Sequence, residues 1–103
     1  MRIYISGPIT GTQGWAVRFE EAEVKLAAAF PDAKIVNPSY LGVVYPGYEH
    51  HEYMTMCMIL LGKCDVIYML DGWERSKGAK MELKLALENG LKIVTEGNVD
   101  VPV

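Results

Sequence analysis

The sequence predicts an α/β fold, a three-layer sandwich whose four- to five-stranded parallel sheet carries helices on both faces. Two observations lead there. Short apolar runs rich in β-branched and aromatic residues alternate along the chain with longer stretches of helical periodicity. The strand runs are apolar nearly throughout, as strands covered on both faces must be. A third observation sets the size: at 103 residues the chain (1-103) is one domain with one real core and little room for another. Connections between such strands are expected to be right-handed crossovers. There is no internal repeat and no low-complexity segment.

"RIYISG" (2–7) is the first strand, ended by Gly-Pro, and "GPITGT" is the loop after it. From about Gln13 to Phe30 the positions Trp15, Phe19, Ala22, Leu26, Ala29 and Phe30 recur at helical spacing until Pro31 stops them. "AKIVNP" (33–38) is the second strand, again closed by proline. Residues 39–51 mix proline, glycine and tyrosine without a period and predict a long surface loop. "EYMTMCMILLG" (52–62) is apolar almost all round, which predicts a helix buried in the core or against another copy of the chain. "DVIYML" (65–70) is the third strand. The last long helix covers 76–89 with Gly90 at the position after its end, and "LKIVTE" (91–96) is the fourth strand.

Half of the residues are hydrophobic and 22% are charged, which is ordinary globular composition. A net charge of -3 supplies no basic stripe, so a nucleic-acid polymer is not expected as partner. Cys57 and Cys64 fit neither a CxxC pair nor a zinc knuckle, which points to reduced thiols in a cytoplasm. No apolar run reaches membrane-spanning length, and the N-terminus opens into a strand rather than a signal peptide. A soluble, cytoplasmic protein with no membrane partner is therefore expected.

In open parallel sheets ligands sit beyond the carboxyl ends of the strands, near the switch in strand order. That rule selects "GPITG", "NPSY" and "DGWERS". In "SGPITG" (6–11), Gly7 and Gly11 suit close backbone approach to a phosphate or sugar, or simply a tight turn. Ser6, Pro8, Ile9 and Thr10 complete that candidate loop. It is neither GxGxxG nor a Walker A sequence, and no cofactor is expected.

On a helical wheel from Ser76, residues Ala79, Leu83, Ala86 and Leu87 form an apolar face, with Lys77, Lys80, Lys84 and Glu88 opposite. Glu82 falls on the apolar side. A carboxylate there is costly unless it is paired, reaches solvent at the edge of the face, or borders a cavity. Small neighbours, Gly78 and Ala79, would leave space above it. Ser76 suits an N-cap, and a first-turn hydroxyl is equally a phosphate grip. Trp73 could stack on a base or shield a loop, and Asn37 could read a base or bond its own turn. His50 and His51 lack the second histidine of HExxH, so no metal site is expected. Met54, Met56 and Met58 fit a core or a dimer interface.

Taken together, "YISGPITG" (4–11), "NP" (37–38) and "CDVIYMLDGWERSKGAKMELKLAL" (64–87) resemble the nucleoside 2-deoxyribosyltransferase superfamily. They are most similar to its short bacterial and phage "YISGPITG" branch, of DUF4406 type. The resemblance spans nearly the whole chain. It implies a Rossmann/flavodoxin-like fold and cleavage or transfer at the N-glycosidic bond of a 2′-deoxynucleoside or its 5′-monophosphate. It also implies that Glu82 is the nucleophile and that the aromatic at Tyr4 touches the ligand, where the strand alone leaves Tyr4 free to pack or to line the pocket. Relatives acting on free nucleosides carry Asp six residues before this Glu; those hydrolysing 5′-monophosphates carry Ser, as Ser76 does here. The expected partner is thus a deoxynucleoside or deoxynucleotide, bound by a homodimer or higher homo-oligomer, since superfamily members commonly complete their pockets across subunits.

Such cleavage passes through an oxocarbenium-like state that a carboxylate stabilises and traps, and the leaving base usually takes a proton from a second acid. Related chains carry Asp where this one has Cys57, a poor substitute. Asp71, Asp65 or Glu74 could serve instead, and Asp71, at a strand's carboxyl end, is the better placed. Three functions remain open at this stage: an N-glycosidase, a nucleotide-binding module that has lost turnover, and a small structural protein acting through its apolar helix. Base preference, and water against a second base as acceptor, are not encoded legibly.

Overall fold

A computed structural model describes residues 1–9 and 14–97. Its strands are β1 (Arg2–Ser6), β2 (Lys34–Val36), β3 (Val66–Met69) and β4 (Lys92–Thr95). Its helices are α1 (Trp15–Ala29), α2 (Leu41–Val44), α3 (His50–Leu61) and α4 (Lys77–Glu88), with single 3-10 turns at Pro38–Tyr40 and Trp73–Arg75. The four strands form one parallel sheet in the order β2-β1-β3-β4. This is the Rossmann/flavodoxin-like α/β arrangement expected from the sequence.

Strand residues alternate between two cores. Ile3, Ile5, Val66, Tyr68 and Leu70 pack with Phe19, Ala22 and Leu26 of α1 on one face. Tyr4, Ile67 and Met69 pack with Cys57 and Leu61 of α3 and Ala79 and Ala86 of α4 on the other. The chain leaves β1 toward β2 under α1, then returns past β1 to β3 and β4 under α3 and α4. Strand order therefore reverses between β1 and β3, where a crevice opens at their carboxyl ends.

At that crevice the turn after β1 presses against the end of β3. A Cβ placed on Gly7 would lie 2.8 Å from Leu70 Cβ, so only glycine lets the two segments pass. At the far end of α4, Gly90 adopts φ +72, the left-handed C′ geometry its position predicted.

Three expectations are corrected. The stretch 39–51 is not all loop: Asn37 Oδ1 accepts from Ser39 N–H at 3.0 Å, caps the first 3-10 turn and leads into α2. The next helix begins at His50 rather than residue 52, because Glu49 and Glu52 form a reciprocal capping box. And α3 is not buried all round within the chain; only Cys57 and Leu61 are fully covered, while Ile59 is 60% exposed. Among the described residues no helix is long and apolar enough to cross a membrane.

Candidate functional site

Tyr4 and Ser6 stand two residues apart on β1, so both side chains leave the same face of the sheet, toward α4. Glu82 stands on the inner side of α4 between Ala79 and Ala86, one turn apart in each direction, and is only 6% exposed. Ser6 Oγ donates to Glu82 Oε1 at 2.6 Å, and the Tyr4 hydroxyl donates to Glu82 Oε2. Each carboxylate oxygen is thus fixed by one donor and keeps a lone pair for another partner.

Burial pushes the Glu82 carboxyl above its ordinary pKa, and the Ser6 and Tyr4 hydrogen bonds pull it part of the way back. Tyr4 is held well above the usual phenol range, first by its own burial and then by the Glu82 charge. The Cys57 thiol is pushed up to about 11, mainly by burial, with the neighbouring Tyr4 hydroxyl opposing and Glu82 adding to the rise. At neutral pH, then, phenol and thiol are both protonated.

Glu82 and Cys57 form the floor of a cavity of about 510 Å³, with Tyr4 and Ser6 behind them off the lining. Trp15, Phe19, Tyr53 and Met54 supply apolar wall, with the Trp15 and Phe19 rings edge-to-face at 5.9 Å. Gly7 and Ile9 line the β1 side, and Ser39 the β2 side. The opening is bordered by Arg75, Ser76, Lys77 and His50. Ser76 Oγ accepts from Ala79 N–H at 3.1 Å and caps α4. That cap leaves the positive end of the helix dipole facing the same opening.

Most residues singled out in the sequence converge here: Ser6 and Tyr4 beneath the floor, and Gly7, Ile9, Ser76, Gly78 and Glu82 on the lining. Thr10 and Gly11 lie outside the described residues. Pro8 is buried but does not line the cavity; a Cβ on Gly72 would lie 3.4 Å from its Cγ. Asn37 is also buried, and its amide is committed elsewhere, with Nδ2 donating to Glu23 Oε1 at 2.9 Å and Oδ1 holding the Ser39 turn. Trp73 packs half-buried against the α3–α4 core. Asp71 is exposed and off the lining, its N–H donating to Glu96 Oε1 at 2.8 Å. Asp65 accepts from Arg2 N–H at 2.9 Å, at the opposite end of the sheet, and Glu74 is exposed. Among the described residues Glu82 is thus the only carboxylate lining the cavity.

Sequence reasoning missed His50, Tyr53, Arg75 and Lys77. The signal for the first two was present, since His50, Tyr53, Met54 and Cys57 repeat at i, i+3, i+4 and i+7, one face of a helix. Lys77 looked solvent-facing on the wheel, but a first-turn residue borders whatever the helix end borders. No group of three or more His, Cys, Asp or Glu side chains that could hold a metal occurs among the described residues.

A family model described as "Domain of unknown function (DUF4406)" matches residues 1–95. No curated protein and no solved structure matches the chain.

Proposed function

The chain belongs to that DUF4406 family, and from this premise we propose that it cleaves or transfers at the N-glycosidic bond of a 2′-deoxynucleoside 5′-monophosphate or its nucleoside. Glu82 is the nucleophile. The observation that carries the reading is a buried carboxylate, pinned by Tyr4 and Ser6, on the floor of a largely apolar cavity of nucleotide size. Its raised proton affinity leaves an oxyanion that gains from bonding to, or neutralising, an electron-poor carbon. The resemblance to nucleoside 2-deoxyribosyltransferases adds the anomeric carbon as that target. Attack at C1′ breaks the bond to the base through an oxocarbenium-like state, and water or a second base releases the sugar. Ser76, Arg75 and Lys77 at the opening suit a 5′-phosphate.

Cys57 favours a second reading, a nucleotide-binding module without turnover. A thiol whose pKa is about 11 stands where the resemblance to nucleoside 2-deoxyribosyltransferases implies a carboxylic acid. Base release from the four deoxynucleoside monophosphates and the free deoxynucleosides, followed by chromatography, decides between the two. Release that disappears in Glu82→Ala supports the glycosidase. Its absence from a folded protein that nucleotides stabilise against heat supports the binding module.

Two further outcomes are expected. Ser76→Asp keeps an N-cap and so keeps the fold, but it sets a negative charge against the phosphate. Preference for monophosphates over nucleosides should fall by about tenfold or more, measured as the ratio of kcat/KM values. Ile59, 60% exposed on α3 with Met56 and Met58 half-buried on the same helix, supports a homodimer, so light scattering should give about twice 11.5 kDa, and a mass near 11.5 kDa would remove that assembly.

A further inference from the structure

We infer that the site is built for a nucleotide whose leaving base is already cationic, one with a quaternised ring nitrogen such as an N-alkylated purine or a pyridinium. The inference rests on the glycosidase reading and names its substrate class.

The floor offers a nucleophile without a matching proton donor. Glu82 is the only carboxylate on the lining among the described residues, and it must be ionised to attack. Cys57 and Tyr4 flank it, but burial holds both protons too tightly to lend at neutral pH. The Tyr53 hydroxyl is engaged, donating to the Tyr45 carbonyl and accepting from Tyr48 N–H at 3.3 Å. His50 belongs to the opening rather than the floor. It stands one helical turn before Met54, whose sulfur lies 3.3 Å from where a Gly78 Cβ would be, at the start of α4. Measured along α3 it is seven residues, about 10 Å, from Cys57 and the floor. Arg75 and Lys77 on the same lining make a cationic end suited to phosphate.

The rest of the cavity suits a cationic ring. Trp15, Phe19 and Tyr53 present aromatic surface, and Glu82 is the one carboxylate on the same lining among the described residues. The reaction then balances without an acid. A Glu82 oxygen bonds to C1′, the C1′–N bond breaks, and its electron pair neutralises the ring nitrogen. Carboxylate and cation thereby cancel, and no proton moves. In the second step water bonds to C1′, the C1′–O bond to Glu82 breaks with its pair returning to the carboxylate, and the water proton passes to solvent.

The test compares N7-methyl-2′-deoxyguanosine 5′-monophosphate with its unmethylated parent, each enzymatic rate divided by its own uncatalysed rate, with Glu82→Ala as the control. The nicotinamide deoxyribonucleotide serves as a second cationic probe. An enzyme with an acid accelerates the neutral parent about 100- to 10 000-fold more than the cation, because acid catalysis helps only a base that needs a proton. The expected result is a Glu82-dependent acceleration of both cationic probes at least equal to that of the parent. A parent accelerated about 100-fold or more beyond them overturns this inference and leaves the glycosidase reading standing. No Glu82-dependent release from any of the three overturns both.

Discussion

Glu82→Gln is expected to reduce base release by about 1000-fold or more while raising the protein's stability at neutral pH. The two effects have one origin. Burial makes the folded protein hold the Glu82 proton more tightly than the unfolded chain does, although Ser6 and Tyr4 offset part of the shift. A native state that binds more protons loses stability as pH rises from the ordinary glutamate range through the raised pKa, and the loss is complete above it. Glutamine keeps the shape and two hydrogen-bonding atoms without the charge. Its advantage should therefore be present at neutral pH and vanish in acid, where Glu82 is protonated in both states. Each kcal/mol would appear as about 4–8 °C in the thermal midpoint of a chain this size. Activity should run the opposite way, rising with pH through the same window as the carboxylate forms. A variant less stable than the wild type at pH 7 and equal to it in acid would mean that the Ser6 and Tyr4 bonds to the anion outweigh its desolvation.

Cys57→Asp should increase release of neutral bases by about 100-fold or more by supplying the missing acid. The new carboxyl would stand beside Tyr4 and Glu82, in surroundings that already push the thiol up to about 11. Two carboxyl groups so placed do not both ionise readily, and the pair retains a proton near neutrality. That proton is available to a departing base. Stability should fall by about 1–3 kcal/mol, read from urea unfolding, since a polar group replaces a small buried thiol. Release of a cationic base should change little. Cys57→Ala should leave neutral-base release near the wild-type value, because the thiol lends no proton. An unchanged Cys57→Asp rate in a folded variant would show that proton donation is not what limits this site.

The sheet was legible because its strands are short apolar runs closed by Gly-Pro, Asn-Pro or Asp-Gly, punctuation that survives in any context. Glu82 was legible for a different reason, as a charge on the wrong side of a wheel. Ser76 and Gly90 were recognisable as a cap and a stop, and φ and hydrogen bonding bear both out. The start of α3 was not legible, because Glu49 is an unusual cap and its effect depends on reciprocity with Glu52. Asn37 was legible in part. The bond to its own turn was one of the two readings offered, and Ser39 N–H makes it at 3.0 Å. Only tertiary packing brings Glu23 of α1 within 2.9 Å of the other amide atom. Lys77 read as a solvated charge because a wheel records direction around a helix, not what stands beyond its end, and Arg75, in the turn before that helix, is on no wheel at all. Asp71 sits at the carboxyl edge, as topology requires, yet an exposed side chain there need not face the crevice.

The pairing of β1 carries one more implication. Tyr4 and Ser6 hold the carboxylate from one face of the strand, while Ile3 and Ile5 close the α1 core from the other. A single-codon insertion or deletion in this strand would exchange the two sets, turning isoleucines toward Glu82 and hydroxyls into oil. Such a frame-preserving lesion cannot yield a folded but inactive protein by this route, because the alternation that seals the core is the same one that arms the glutamate. Substitutions can separate stability from chemistry here; changes in length at the first strand cannot.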